Sequence, residues 1–300
     1  MISRFLSYVE IKTKITSTFA FLLTIALLVS KKQTINWGLT MLFFAAMFLF
    51  DLTTTAINNY IDTKNNHQTL QFKRSYALII IYILFAISAV LGLYLAYLTD
   101  LVILIVGGLC FLCGVFYTYG PVPISRMPLG EVLSGAFYGL LIPFIILYIN
   151  MPEGTFLSLN VNLETISLEL QIRPILSVFL FAIIPFCTTA NIMLANNTCD
   201  LEKDIAVRRH TLPYYIGEKA LYLFAGLYYM TYVADIAMVI TGILHPICLL
   251  AIASIIPVQK NINEFFKKQE KETTFMVAIK NYVIIMGTNV LVVFISALIA

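Results

Sequence analysis

Nine apolar stretches divide the chain, and no other feature limits its possible folds as severely. Their approximate limits are 15–30, 37–60, 76–98, 101–118, 130–150, 174–197, 219–241, 243–258 and 281–299, each bounded by polar residues, Pro or Gly. Only 12% of the 300 residues are charged and 60% are hydrophobic, whereas soluble domains carry roughly 25% charged residues. So little polar surface cannot cover a soluble fold. The expected class is all-α, a polytopic membrane helical bundle of about nine transmembrane helices. The eighth stretch is short and the seventh carries Asp235 near one end, so eight helices is the alternative count.

Lys and Arg set the expected sidedness. With nine spans and a cytoplasmic N-terminus, sixteen of the nineteen cations fall on the inner side. Only Lys31, Lys32 and Arg173 stay outside. The longest outer loop, 151–173, is acidic through Glu153, Glu164 and Glu169 and carries no other signal. Cys110 and Cys113 form a Cys-x2-Cys pair inside an apolar stretch, where cysteines read as small buried hydrophobes and not as a redox or zinc site. The N-terminus lacks the order of a cleaved signal peptide. No separate soluble domain stands out. The chain reads as one transmembrane domain over 1–300, with halves of about 1–150 and 151–300, and no nucleic-acid partner is expected.

A sparse polar ladder occurs twice. The first copy is Asn58-x3-Asp62-x3-Asn66 and the second is Asn196-x3-Asp200-x3-Asp204, offset by a constant 138 residues. Each leaves the C-terminal end of an apolar stretch on the expected cytoplasmic side. On a helix, residues four apart share a face. Taken singly, Asn and Asp at a helix end are caps or solvated residues. Two copies at one spacing and one membrane face point instead to a cage of hard oxygen ligands. Magnesium takes few protein carboxylates and completes its shell with substrate phosphate oxygens, so a diphosphate bridging the two columns through metal ions is the expected ligand. The constant offset also implies an internal repeat, with a site at the repeat interface.

Asp51 lies on the same helix face as Asn58 and more than two turns deeper. A carboxylate in a span is a functional candidate by default, although a structural bond to a neighbouring helix would also account for it. Cations for a diphosphate are available in Lys12, Lys73, Arg126, Arg208 and Arg209. Arg126 stands apart as the sole cation in a loop set by Pro121, Pro123 and Pro128.

These motifs resemble those of the UbiA superfamily of intramembrane aromatic prenyltransferases. That family has nine helices, an Asn-x3-Asp-x3-Asp type motif after helix two and an Asp-x3-Asp motif after helix six. The stretch DLEKDIAVRRHTLPYYIG resembles the second motif with its basic pair. YTYGPVPISRMPLGEVLSG, with Tyr117, Gly120, Pro121, Gly130 and Glu131, resembles the 1,4-dihydroxy-2-naphthoate branch, as does VEIKTKITS. The chain departs from the family at Asn59 and Asn66, where acidic residues are common, which puts the number of metal ions in question.

The resemblance implies transfer of a polyprenyl chain from its diphosphate to an aromatic ring carbon in a bacterial cell membrane. Magnesium would be held by Asp62, Asp200 and Asp204, with Asn58, Asn66 and Asn196 assisting, while Arg126 and the other basic residues grip the diphosphate. The allylic carbocation would face Tyr117 and Tyr119, whose other reading is an interfacial aromatic belt. Its isoprenoid tail would lie among helices open to membrane lipid. In the naphthoate branch the ring loses its carboxylate as the chain attaches, giving demethylmenaquinol. Either Asp51 or Glu131 would handle acceptor protons. Other acceptors, such as 4-hydroxybenzoate or a haem precursor, are open alternatives. A secondary transporter is the rival from another class, disfavoured because the ionisable residues gather at one membrane face. The Asp-x2-Asp-Gly-x2-Ala-Arg arrangement of CDP-alcohol phosphotransferases is absent.

Overall fold

The computed structural model describes residues 1–65, 69–117, 119 and 124–299. Among these, eight helices are long and apolar enough to cross a membrane, and Leu101–Phe116 is a shorter apolar helix. Nearly every apolar stretch therefore became a helix close to its expected limits. The chain packs as two compact units, Met1–Thr18 with Asn36–Ile124, and Phe19–Ile35 with Ser125–Ala300.

The first unit contains α1 (Ile2–Tyr8), the first turn of α2 (Ile15–Ser30), α3 (Trp37–Asn65), α4 (Arg74–Leu98) and α5 (Leu101–Phe116). Tyr8 and Val9 pack with Leu52 and Ala56 of α3 and with Ala77, Ile81 and Leu84 of α4. The spacing 77, 81, 84 marks one helical stripe. The rest of α4 exposes Ile79, Tyr82, Ile83, Val90 and Leu93, an apolar surface suited to lipid. Asp100 caps α5 by accepting from the Ile103 N–H at 3.1 Å.

The second unit contains the rest of α2, α6 (Gly130–Asn150), α7 (Ile172–Cys199), α8 (Leu201–Ala206), α9 (Leu212–Ile216), α10 (Lys219–Ile240), α11 (Pro246–Lys267) and α12 (Met276–Ile299). A π-helical turn, Gly135–Leu141, lies inside α6. It meets α7 where Pro185 sits within that helix. A Cβ on Gly139 would lie 2.2 Å from the Phe186 backbone nitrogen, and one on Gly135 would lie 2.9 Å from the Phe186 ring. Only glycine allows this approach.

The structure corrects two expectations. The outer loop 151–173 holds an antiparallel hairpin of β1 (Leu157–Val161) and β2 (Ile166–Leu170). Directly paired residues share a face. Leu157, Leu159, Val161, Ile166, Leu168 and Leu170 thus lie on one side, with Ser158, Asn160, Ser167 and Glu169 on the other. The period-two alternation is present in the sequence but hidden behind the loop's acidity. The eighth span is also displaced, running over Pro246–Lys267 where the apolar limits are 243–258. His245 caps it, its Nδ1 accepting from the Ile247 N–H at 3.3 Å, and Pro246 fits the first position. Past Ser254 the helix continues because Val258, Ile262 and Phe265 remain buried. An amphipathic stripe, and not overall hydropathy, carries it onward.

Candidate active site

The first motif lies on α3, which runs unbroken to Asn65. Asn58 is half-buried and Asp62 exposed on successive turns of its last stretch, while Asn66 lies outside the described residues. The adjacent Asn59 has its own explanation. Its amide donates to the Tyr8 carbonyl at 2.8 Å and to Glu10 Oε1 at 3.1 Å. An Asp there would present like charge to Glu10 and could not donate. Arg74 donates to the Tyr60 carbonyl at 3.0 Å and lies 5.2 Å from the centre of the Tyr60 ring, pinning the start of α4 beside the motif.

Asp51, about 16 Å along the axis from Asp62 by the helical rise, is held by several partners. Lys14 Nζ lies 2.7 Å from its Oδ1, Ser17 Oγ donates to its Oδ2 at 2.7 Å, and Lys14 also reaches the Asp51 carbonyl at 2.9 Å. The two charged side chains are only 4% and 5% exposed. Sequence reasoning placed Lys12 among the diphosphate cations, but Lys12 is exposed and Lys14 is the buried member of the pair. Lys73 is exposed at the cap of α4. Tyr117 caps α5 and Tyr119 is exposed.

The second motif is the more constructed. Helix α7 ends at Cys199, Asp200 caps it, and α8 follows at once. The backbone bonds Asp200 N–H to Asn196 O (3.1 Å) and Asp204 N–H to Asp200 O (2.8 Å) persist across the junction. The three residues nonetheless divide into two groups. Asn196 Oδ1 and Asp200 Oδ2 both accept from Lys271 Nζ, the latter at 2.6 Å. Asp204 is buried, with Oδ1 at 3.7 Å from Arg209 Nη1.

Arg209 organises what surrounds Asp204. Arg208 adopts φ +56°, a left-handed turn that reverses the chain and leaves its own side chain exposed. Arg209 then folds back. Its N–H donates to the Asp204 carbonyl at 2.8 Å, its Nε to the Ser125 carbonyl at 2.9 Å and its Nη2 to Asn197 Oδ1 at 3.4 Å. The His210 N–H donates to the Arg126 carbonyl at 3.2 Å, so one backbone bond ties the Arg126 turn to the residue that follows the basic pair. Asn197 Nδ2 in turn donates to Glu131 Oε1 at 2.8 Å. Glu131 is buried, and among the described residues its Oε2 has no hydrogen-bond partner.

Sequence reasoning singled out Glu131, Arg126, Arg209, Asp200 and Asp204 but passed over Asn197 and Lys271. Asn197, the neighbour of a motif residue, carried a faint signal; Lys271 carried none. Among the described residues no three His, Cys, Asp or Glu side chains cluster to hold a metal ion. The donor set still fits magnesium, because Asn196 and Asp200 aim two hard oxygens at a single positive charge, and such an ion takes its other ligands from phosphate and water. A groove of 770 Å³ lined by Gln259, Lys260, Asn263 and Glu264 includes none of these residues. In the Lys268–Phe275 loop, the Lys268 ammonium (2.6 Å) and then Thr273 hold the exposed Glu270 carboxyl below its ordinary range, keeping that loop acid charged.

The chain itself has counterparts among known proteins. The UbiA prenyltransferase family matches residues 19–279. The 1,4-dihydroxy-2-naphthoate octaprenyltransferase of Bacillus subtilis (strain 168) is 26% identical over 198 residues, 66% of this chain. The match spans only 57% of that relative's length. A UbiA homolog from Aeropyrum pernix K1 superposes with a TM-score of 0.67 at 16% identity, covering 93% of this chain and 98% of the other. A UbiA homolog from Archaeoglobus fulgidus bound to GPP and Mg2+ gives 0.63 at 14% identity, covering 98% and 99%. The chain is an integral membrane protein and belongs to the UbiA prenyltransferase family.

Proposed function

We propose that the protein transfers a polyprenyl group from polyprenyl diphosphate to an aromatic acceptor, 1,4-dihydroxy-2-naphthoate, giving demethylmenaquinol. The observation that carries this reading is the pair of oxygens, Asn196 Oδ1 and Asp200 Oδ2, turned toward one cation beside the Arg209–Asp204 contact. The Bacillus relative, a 1,4-dihydroxy-2-naphthoate octaprenyltransferase, supports the acceptor. The Archaeoglobus homolog bound to GPP and Mg2+ supports a prenyl diphosphate with magnesium. Asp62, Asp200 and Asp204, with Asn58, Asn66 and Asn196, would hold the metal. A bound magnesium ion supplies neutralisation of the leaving diphosphate.

The chain's own residues do the rest. Arg209, oriented by Ser125, Asn197 and Asp204, presents a fixed guanidinium to phosphate oxygens, and Arg126, Arg208, Lys12 and Lys73 add positive charge on that membrane face. The allylic carbon–oxygen bond breaks with its electron pair leaving on the diphosphate. An electron pair of the ring forms the new carbon–carbon bond, and the ring's carboxylate departs as carbon dioxide. Tyr117 and Tyr119 offer ring faces to the allylic cation, and surrounding apolar helices exclude water from it. Glu131 and Asp51 remain the carboxylates for acceptor protons. Of these, Glu131 has the freer oxygen, since Asp51 is engaged by Lys14 and Ser17. The excess of Lys and Arg on the motif side supports a cytoplasmic position for these loops in a bacterial cell.

Purified protein with magnesium, a labelled polyprenyl diphosphate and a panel of acceptors tests this reading. Prenylated, decarboxylated naphthoate is the expected product. Preference for 4-hydroxybenzoate would replace the acceptor, and no diphosphate release with any aromatic acceptor would overturn the activity.

A further inference from the structure

The loop joining α11 to α12, Lys268–Phe275, brings a cation to the second motif from far along the chain. Glu270 closes this loop. Its carbonyl accepts from the N–H groups of Thr274 and Phe275, both at 3.0 Å, and its own N–H donates to Thr274 Oγ1 at 2.8 Å. At the tip, Lys271 Nζ lies 2.6 Å from Asp200 Oδ2, bonds Asn196 Oδ1, and stands 4.8 Å from the centre of the Phe275 ring. The Lys271 side chain is 35% exposed and that of Asp200 is 21% exposed, so ions and phosphates can approach from water.

These are the same two oxygens assigned above to a divalent ion. An ammonium and a metal ion cannot both use them, since each needs the same lone pairs and the two cations repel at such distances. We propose that Lys271 is a diphosphate-binding residue that competes with the divalent ion for Asn196 and Asp200, and that ion entry releases its ammonium onto the substrate's phosphate oxygens. The inference rests on the metal reading of the second motif. Lysine suits the exchange because its charge rides on a flexible four-carbon stem and each of its three N–H donors can serve a carboxylate or a phosphate. The closed loop keeps the root of the side chain beside the motif, and the Phe275 ring faces the ammonium. Lys271 therefore opposes metal binding in the absence of diphosphate and favours it in its presence, so the two ligands enter together.

The test uses the full-length protein in detergent, with Mn2+ binding followed by electron paramagnetic resonance of the free ion. Binding of inorganic pyrophosphate at saturating Mg2+ is followed by calorimetry. Lys271→Met should bind Mn2+ about fivefold more tightly and magnesium pyrophosphate about fivefold more weakly, the scale of one partly exposed charge contact. Lys271→Arg, which keeps the charge, should lie nearer the wild type in both. Lys268→Met, which removes an equal charge from the same loop without touching the motif, should change neither. Unchanged or weakened Mn2+ binding in Lys271→Met, with Asp200→Ala still abolishing it, overturns the competition and leaves the metal reading standing. Mn2+ binding that is absent from both the wild type and Lys271→Met, or that survives Asp200→Ala, overturns the metal reading and this inference with it.

Discussion

At the scale of single residues, the buried pair of Lys14 and Asp51 sets the sharpest energetic demand. Both side chains are almost wholly enclosed, so removing one partner strands a charge. Lys14→Met should cost about 3–5 kcal/mol, and Lys14→Met combined with Asp51→Leu should recover much of it, because a buried pair can be replaced by apolar packing more cheaply than it can be halved. Thermal unfolding in detergent reads this directly; a single variant as stable as the wild type would refute it. The motif acids should behave differently. Asp62→Ala, Asp200→Ala and Asp204→Ala should each abolish magnesium-dependent transfer, and activity retained in all three would remove the metal-cage reading. Stability separates them further. Asp204→Ala should also lower the unfolding temperature, since it takes away the partner of Arg209, whereas the more accessible Asp200 should be lost at little structural cost. Asn66→Asp should be tolerated and Asp204→Asn should not.

At the scale of elements, α6 and α7 depend on a gap with no room for a methyl group. Gly139→Ala would drive a Cβ into the Phe186 backbone and should destabilise the protein by about 1–3 kcal/mol, as overpacking does. Gly226→Ala on α10 meets nothing within 4 Å and should be neutral or slightly stabilising, given the higher helix propensity of Ala. Equal effects in the two variants would contradict the close approach. The elements themselves were largely legible. Helix α6 occupies the limits read from hydropathy alone, because length and apolarity are what a membrane demands of a span. The hairpin was legible too, in the alternation from Leu157 to Leu170, but loop charge concealed a period that needed to be read by itself. The extension of α11 to Lys267 was not legible by hydropathy, since only one stripe of that segment is apolar.

At the scale of the whole molecule, the cation bias makes a statement about sidedness. Cysteines introduced at Leu163, in the hairpin turn, and at Lys203, in the motif helix, should label from opposite sides of a sealed vesicle, above the background of the native cysteines. Labelling of both from one side would contradict the topology read from Lys and Arg. Chelation of divalent ions should silence transfer, with magnesium restoring it.

The class of the fold and the candidate chemistry are properties of short pieces of chain. Long apolar runs require membrane helices, and two ladders at constant offset put carboxylates and amides where helix periodicity aligns them. Those properties are local, and a few turns contain them. Which charges meet is a matter for the packed molecule alone. Lys271 reaches Asp200 across 71 positions, Glu131 reaches Asn197 across 66, and Lys14 reaches Asp51 across 37. No spacing rule joins residues so far apart, because their meeting depends on how helices pack and where loops turn back. The ladder was written in the sequence; the partners that pull its members apart, Lys271 for Asp200 and Arg209 for Asp204, come from the fold.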